Sequence, residues 1–166
     1  GGGSGGGTAG GAGGGSAGGP PYSATHVASG RLHTCATTST GAVFCWGNRE
    51  YGQLGNGAPM DTTATKVPVP VPSITSGATA IASLTDHTCA IVSGGVKCWG
   101  DNTYGQLGNN TTNTSSTPVA VSGLTSGVSA IATGADHACA LTTAGAVKCW
   151  GKNDLGQLGN NTQIDA

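Results

Sequence analysis

Six cysteines and three histidines recur at fixed spacing, and they are the residues best placed to do chemistry in this chain. The cysteines form three local couples, Cys35/Cys45, Cys89/Cys98 and Cys139/Cys149, and His33, His87 and His137 each stand two residues ahead of a couple. On a strand His33 and Cys35 share one face, so with Cys45 opposite them each unit holds the parts of a Cys-Cys-His metal site. Zinc usually takes cysteines two to four residues apart plus a fourth ligand, and no fourth ligand is evident. Like-spaced couples in an even count favour disulfides and an oxidising compartment instead. A group repeated in every copy reads first as structural, so each histidine is expected to bond a neighbouring strand or loop, with an axial histidine metal cluster as the alternative. Asp86 and Asp136 precede two of the three and are placed to fix the imidazole tautomer; Leu32 stands at that point in the first copy.

The elements that hold these residues can be read from the turns. Cys89 and Cys98 sit opposite each other if Ser93-Gly94 forms a two-residue hairpin loop. The other two copies carry one residue more, and the same pairing leaves three-residue loops ending in Gly41 or Gly145, where a left-handed residue is required. Turn length and turn chemistry change together while the cysteines stay opposed. Short runs at Thr25–Ala28, Ala78–Ala82 and Val128–Ala132 read as the strand before each histidine. The alternating prolines of Val67–Pro72 cannot donate to a ladder and belong at a sheet edge; this run and Pro118–Val121 are expected to open the second and third units.

Each copy ends in Cys-Trp-Gly and then Gly-Gln-Leu-Gly-Asn. Histidines step by 54 and 50 residues and tryptophans by 53 and 51, a period that marks stacked repeats of β-type segments. The fold class is all-β, with propeller blades of about four short strands each. Trp46, Trp99 and Trp150 read as covers for the disulfide or the blade interface rather than sugar platforms. Leu54, Leu107 and Leu158 read as plugs between blades, and Gln53, Gln106 and Gln157 as bonded to loop backbone. The glycines are not a phosphate cradle, since no Lys-Ser/Thr follows and no helix begins there.

Only six basic and seven acidic residues occur, so no field draws the chain to nucleic acid or an anionic membrane, and no apolar run is long enough for a membrane helix. Residues 1–21 are a Gly-rich segment with the composition of a flexible linker. Residues 22–166 are the repeat segment, with blades at about 22–66, 67–117 and 118–166. Asn109, Asn110, Asn113 and Asn160 stand in Asn-x-Ser/Thr triplets, glycan acceptors only in a secretory pathway.

The pattern Cys-Trp-Gly-x-Asn-x-Tyr-Gly-Gln-Leu-Gly-Asn at 98–109, after His-x-Cys-Ala at 87–90, resembles the regulator of chromosome condensation repeat. It is most similar to cysteine-containing versions in bacterial secreted or surface proteins, and the resemblance covers Ser23 to Asn160. It implies a propeller of about seven blades, of which three repeats are only a part. The family includes a nucleotide-exchange factor for a small GTPase, a plant UV-B photoreceptor and a β-lactamase inhibitor, all working through variable loops. Two departures stand out: Arg49 where the other copies have Asn102 and Asn153, and Leu155 in place of Tyr51 and Tyr104.

With no nucleophile–base pair, carboxylate dyad or cofactor fingerprint, the expectation is a non-enzymatic protein without cofactor or metal. Its leading function is an extracellular or cell-surface structural or adhesive subunit, self-associating into a homopolymer or filament through the Gly-rich head and open blade edges. The alternative is a protein- or glycan-binding propeller module, a fragment of a longer chain, using its variable loops. An exchange factor for a small GTPase comes third. Neither nucleic-acid binding nor membrane insertion is expected.

Overall fold

The computed structural model describes residues 23–166, and the expectations for the Gly-rich head lie outside them. Eleven strands and no helix make up the described residues. The first sheet is a meander of β1 (Ala24–Ser29), β2 (His33–Thr38), β3 (Val43–Gly47) and β4 (Thr65–Pro70). The second repeats it with β5 (Ala78–Ser83), β6 (His87–Val92), β7 (Gly95–Gly100) and β8 (Ser115–Ala120). The third holds β9 (Val128–Thr133), β10 (His137–Thr142) and β11 (Val147–Gly151), and all pairings are antiparallel.

Hairpin register follows from the turns. Ser93 and Gly94 take φ of 52° and 81° between the paired Val92 and Gly95, the two-residue geometry that suits strand twist. Gly41 and Gly145 take φ of 78° and 85° at the ends of three-residue loops closed by Thr38–Ala42 and Thr142–Ala146 bonds. Cys35, Cys89 and Cys139 thereby lie opposite Cys45, Cys98 and Cys149 and are joined to them as disulfides. The Gly of Cys-Trp-Gly has its own cause. Register shifts between Cys45 and Gly47 and between Cys98 and Gly100, and a Cβ on Gly47 or Gly100 would press on the Leu32 or Asp86 carbonyl.

The proline strands differ from expectation. β4 and β8 pair with the Cys-Trp strands before them, Cys45 opposite Val69 and Cys98 opposite Val119. They close the preceding sheet as its outer edge instead of opening the next, and boundaries at 66/67 and 117/118 would cut through both. At that edge a proline without N–H costs no ladder bond, while β3 and β7 gain a partner. Tight turns at Val71–Ile74 and Val121–Leu124 then lead into the next inner strand.

Two equivalent cores fill the spaces between sheets. Cys35, Cys45, Val43, Leu54, Val71 and Ile74 of the first sheet meet Ala78, Ala90 and Trp99 of the second. One repeat on, Cys89, Cys98, Val96, Leu107, Val121 and Leu124 meet Ala138, Ala140 and Trp150. The first two disulfides thus share a core with the tryptophan of the next sheet. Small residues opposite let the sheets approach closely, so few aromatics suffice.

Candidate functional site

The seams between sheets account for most of the repeated motif. Trp99 Nε1 donates to the Gln53 carbonyl at 2.9 Å and Trp150 Nε1 to that of Gln106 at 2.9 Å, across consecutive seams. Each Gln side chain braces its own loop: Gln53 accepts from Tyr51 N–H and donates to Asn48, Gln106 accepts from Tyr104 N–H and donates to Asp101. Gln157 does the same with Leu155 N–H and Asp154. Asn102 and Asn153, both fully buried, tie the following loop down through the Thr111 and Asn113 carbonyls and the Thr162 and Ile164 carbonyls. In the first copy Arg49 replaces that bond with a two-point pair to Asp61, at 2.8 and 2.9 Å. That pairing holds the Asp61 carboxyl down at about 2. Asp61 was missed from sequence, although it is the first acid after Glu50 in the loop whose Asn is absent.

The histidines divide. His33 Nε2 meets Thr88 Oγ1 at 2.7 Å and Ser83 Oγ at 3.0 Å on the next sheet. His87 is fully buried, and neither ring nitrogen has a partner among the described residues, so the expected bond to a neighbour is not made there. Nor do Asp86 and Asp136 orient an imidazole: Asp86 Oδ2 binds Arg31 at 2.6 Å, and Asp136 pairs with Lys152 at 3.9 Å. No group of three metal-ligating side chains occurs among the described residues.

What the seams leave over is gathered at one end. The β1–β2, β5–β6 and β9–β10 turns and the long segments 48–64, 101–114 and 152–166 all emerge beside His33, His87 and His137. This loop end carries all seven acidic residues, Glu50, Asp61, Asp86, Asp101, Asp136, Asp154 and Asp165, against three basic ones, Arg31, Arg49 and Lys152. Leu32, Leu84, Met60 and Ile164 are exposed there, and Leu155 is 85% exposed. Lys152 Nζ lies 4.6 Å from the Tyr104 ring centre. At the opposite end the turns 39–42, 71–77, 93–94, 121–127 and 143–146 hold no charged residue.

Stacked meander sheets with tryptophan-sealed seams define a repeat protein of the propeller type. The chain belongs to the regulator of chromosome condensation (RCC1) repeat family, whose pattern matches residues 40–91 and 93–141 in one form and 24–53 and 128–157 in another. It is 34% identical over 102 residues to the secretion-regulating guanine nucleotide exchange factor of Mus musculus, covering 52% of this chain and 22% of that protein. It is 31% identical over 140 residues to the E3 ubiquitin-protein ligase HERC2 of Homo sapiens, covering 83% of this chain and 3% of that protein. Among solved structures it is similar to human WBSCR16 (TM-score 0.72, 26% identity, 88% of this chain and 37% of that one). It also matches Prp20p from Saccharomyces cerevisiae, described with its binding to Gsp1p and histones (TM-score 0.72, 18% identity, 86% and 36%). The chain thus spans about a fifth or less of these curated relatives.

These relatives correct several expectations. The bacterial secreted or surface subtype is not supported, since they come from mouse, human and yeast. The extracellular structural or adhesive filament, and with it the extracellular or cell-surface location, is overturned by relatives named for nucleotide exchange and ubiquitin ligation. Self-association as the partner is likewise not supported, since a curated relative is named for guanine nucleotide exchange. The expectation of a non-enzymatic protein falls on the same exchange-factor and ligase names. The subtype, location and self-association expectations rest on the Gly-rich head, open edges and paired cysteines, and the non-enzymatic one on the lack of a reactive constellation, whereas the family match rests on the repeat itself.

Proposed function

We propose that this chain is the partner-binding segment of a guanine nucleotide exchange factor acting on a small GTPase, and that it meets the GTPase through its loop end. The observation that carries this reading is the match to a protein named as such a factor; the one-sided surface supports it and points to the face. An exchange factor works by binding the nucleotide-free partner more tightly than the loaded one, so it needs a rigid surface with differential contacts rather than a reactive group. Acidic side chains such as Glu50, Asp101 and Asp154 oppose nucleotide phosphates and attract the lysines that hold them. Leu32, Leu84 and Leu155 supply apolar anchors among those charges. In this reading the chain comprises a head at 1–21 and three blades within 22–166 of a larger ring. The six disulfide cysteines, His33, His87, His137, Trp46, Trp99, Trp150, Gln53, Gln106 and Gln157 are scaffold, and the loops do the work.

A second reading, a protein-binding module without exchange, draws on the match to the E3 ligase over 83% of the chain. Release of a fluorescent guanine nucleotide from a panel of small GTPases separates the two. Acceleration that is lost in a Glu50→Lys/Asp154→Lys variant supports exchange at the loop end. Binding without acceleration leaves the module, and binding that survives the variant moves the contact to another face.

A further inference from the structure

Equivalent positions in successive sheets allow the two seams to be compared directly. At the first, the His33 ring lies over Gly30, where any Cβ would run into it, and reaches the Thr88 and Ser83 hydroxyls. At the second, the corresponding residues are Leu84, His87, Ala138 and Thr133. Leu84 carries a Cβ where Gly30 and Gly134 have none, and Ala138 brings a methyl where Thr88 brings a hydroxyl. The two exchanges remove the ring's seat and the nearer of its two hydroxyl partners, and the Thr133 hydroxyl makes no bond to it, leaving a fully buried imidazole with two unbonded nitrogens. Polar links that do cross this seam are Trp150 to the Gln106 carbonyl, Val128 N–H to the Gly94 carbonyl, and the Thr85 hydroxyl to the Ala135 carbonyl near the surface.

We propose that the seam between the second and third sheets is a proton-sensitive joint with His87 as its sensing group. A buried imidazole without a partner is tolerated neutral and costly charged. The groups around His87 do not offset that cost. Burial is the largest influence on it; the Asp101 carboxylate favours the charged ring, His137 opposes it, and the His137 backbone favours it without hydrogen-bonding geometry. Asp101 is already engaged by Thr103 and Gln106. His33 stands on the other side, while Asp86 and Asp136 in the flanking turns are paired with Arg31 and Lys152. The result is a folded pKa lowered from 6.5 to about 4.

Because the folded value is depressed, the unfolded or opened state takes up the proton first. The seam is at full strength above pH 6.5, weakens as pH falls, and levels off below about 4, with opening favoured by up to roughly 300-fold across that window. His33 is lowered to about 4 as well, so the first seam weakens over the same window, and the share that belongs to His87 is the part its replacement removes.

Hydrogen exchange on the intact chain at pH 7.0 and 4.8, corrected for intrinsic rates, tests this. Protection in 128–151 is expected to fall at least tenfold. A His87→Phe variant should have a higher urea midpoint at pH 7 and lose that fall in 128–151; His87→Gln, neutral throughout, serves if the Phe variant does not fold. No fall in 128–151, an acid response there that persists without His87, or a His87 ring resonance titrating near 6.5 would each overturn the proposal.

Discussion

Replacing Trp99 by Phe isolates what one indole does for a seam. Trp99 is fully buried and donates to the Gln53 carbonyl at 2.9 Å, in the cluster that includes Cys35, Cys45 and Leu54. Losing the donor strands a buried carbonyl, at about 1–2 kcal/mol. The smaller ring gives up packing worth about 1 kcal/mol more, for a total of about 2–3 kcal/mol. Trp46 has the same neighbours in sequence, but it is only half-buried and its N–H has no partner among the described residues, so Trp46→Phe should cost less than about 1 kcal/mol. Trp150, 6% exposed and bonded to the Gln106 carbonyl, should behave like Trp99. Urea unfolding followed by far-ultraviolet dichroism measures all three without relying on the tryptophan signal. Equal losses at Trp46 and Trp99 would show that the motif stabilises its own hairpin, and the account of the seam would be wrong.

Ala substitution at the hairpin glycines should separate two costs. Gly145→Ala meets open space and should lose only the left-handed penalty of about 1 kcal/mol, whereas Gly41→Ala also drives a methyl toward the Gly77 and Ala78 amides and should cost more in the same unfolding assay. Asn102→Ala removes the anchor for the Thr111 and Asn113 carbonyls and the acceptor for Leu107 N–H. It should destabilise by about 2 kcal/mol and raise protease sensitivity within 101–114. Non-reducing peptide mapping should return only 35–45, 89–98 and 139–149 linkages, each worth at most about 2.5–3 kcal/mol in loop entropy. Carboxyl titration by NMR should find Asp61 ionised down to about pH 2, so its tie to Arg49 holds above pH 3.8 and is lost as pH falls through 2.

Hairpin register was legible in the sequence because it is local: loop length, the position of Gly41 or Gly145, and opposed cysteines constrain one another within about ten residues. The edge character of the proline strands was legible for the same reason, since a missing N–H is a property of the residue. Which sheet they edge was not, because β3 accepts β4 only through the fold of the intervening loop. The bond of Trp99 and Trp150 to the preceding copy's Gln carbonyl is a contact between sheets that no single repeat contains. The orphaned His87 was hidden deeper. The exchanges of Gly30 for Leu84 and of Thr88 for Ala138 are plain in the sequence and carry meaning only once those four positions are known to share a seam. The loop-end surface is equally present in the sequence, as seven acids in connecting segments, but only the fold brings those segments to one end.

The direction of the seam bond has a consequence for how such a chain is made. The first two Gly-Gln-Leu-Gly loops are each finished by a tryptophan that comes later in the sequence, Gln53 by Trp99 and Gln106 by Trp150. A sheet emerging from the ribosome therefore holds an open carbonyl and an unroofed disulfide until its successor has been synthesised, a lag of about one repeat. Translation speed through 99 and 150 sets how long each unfinished unit stays exposed to chaperones and to the wrong neighbour.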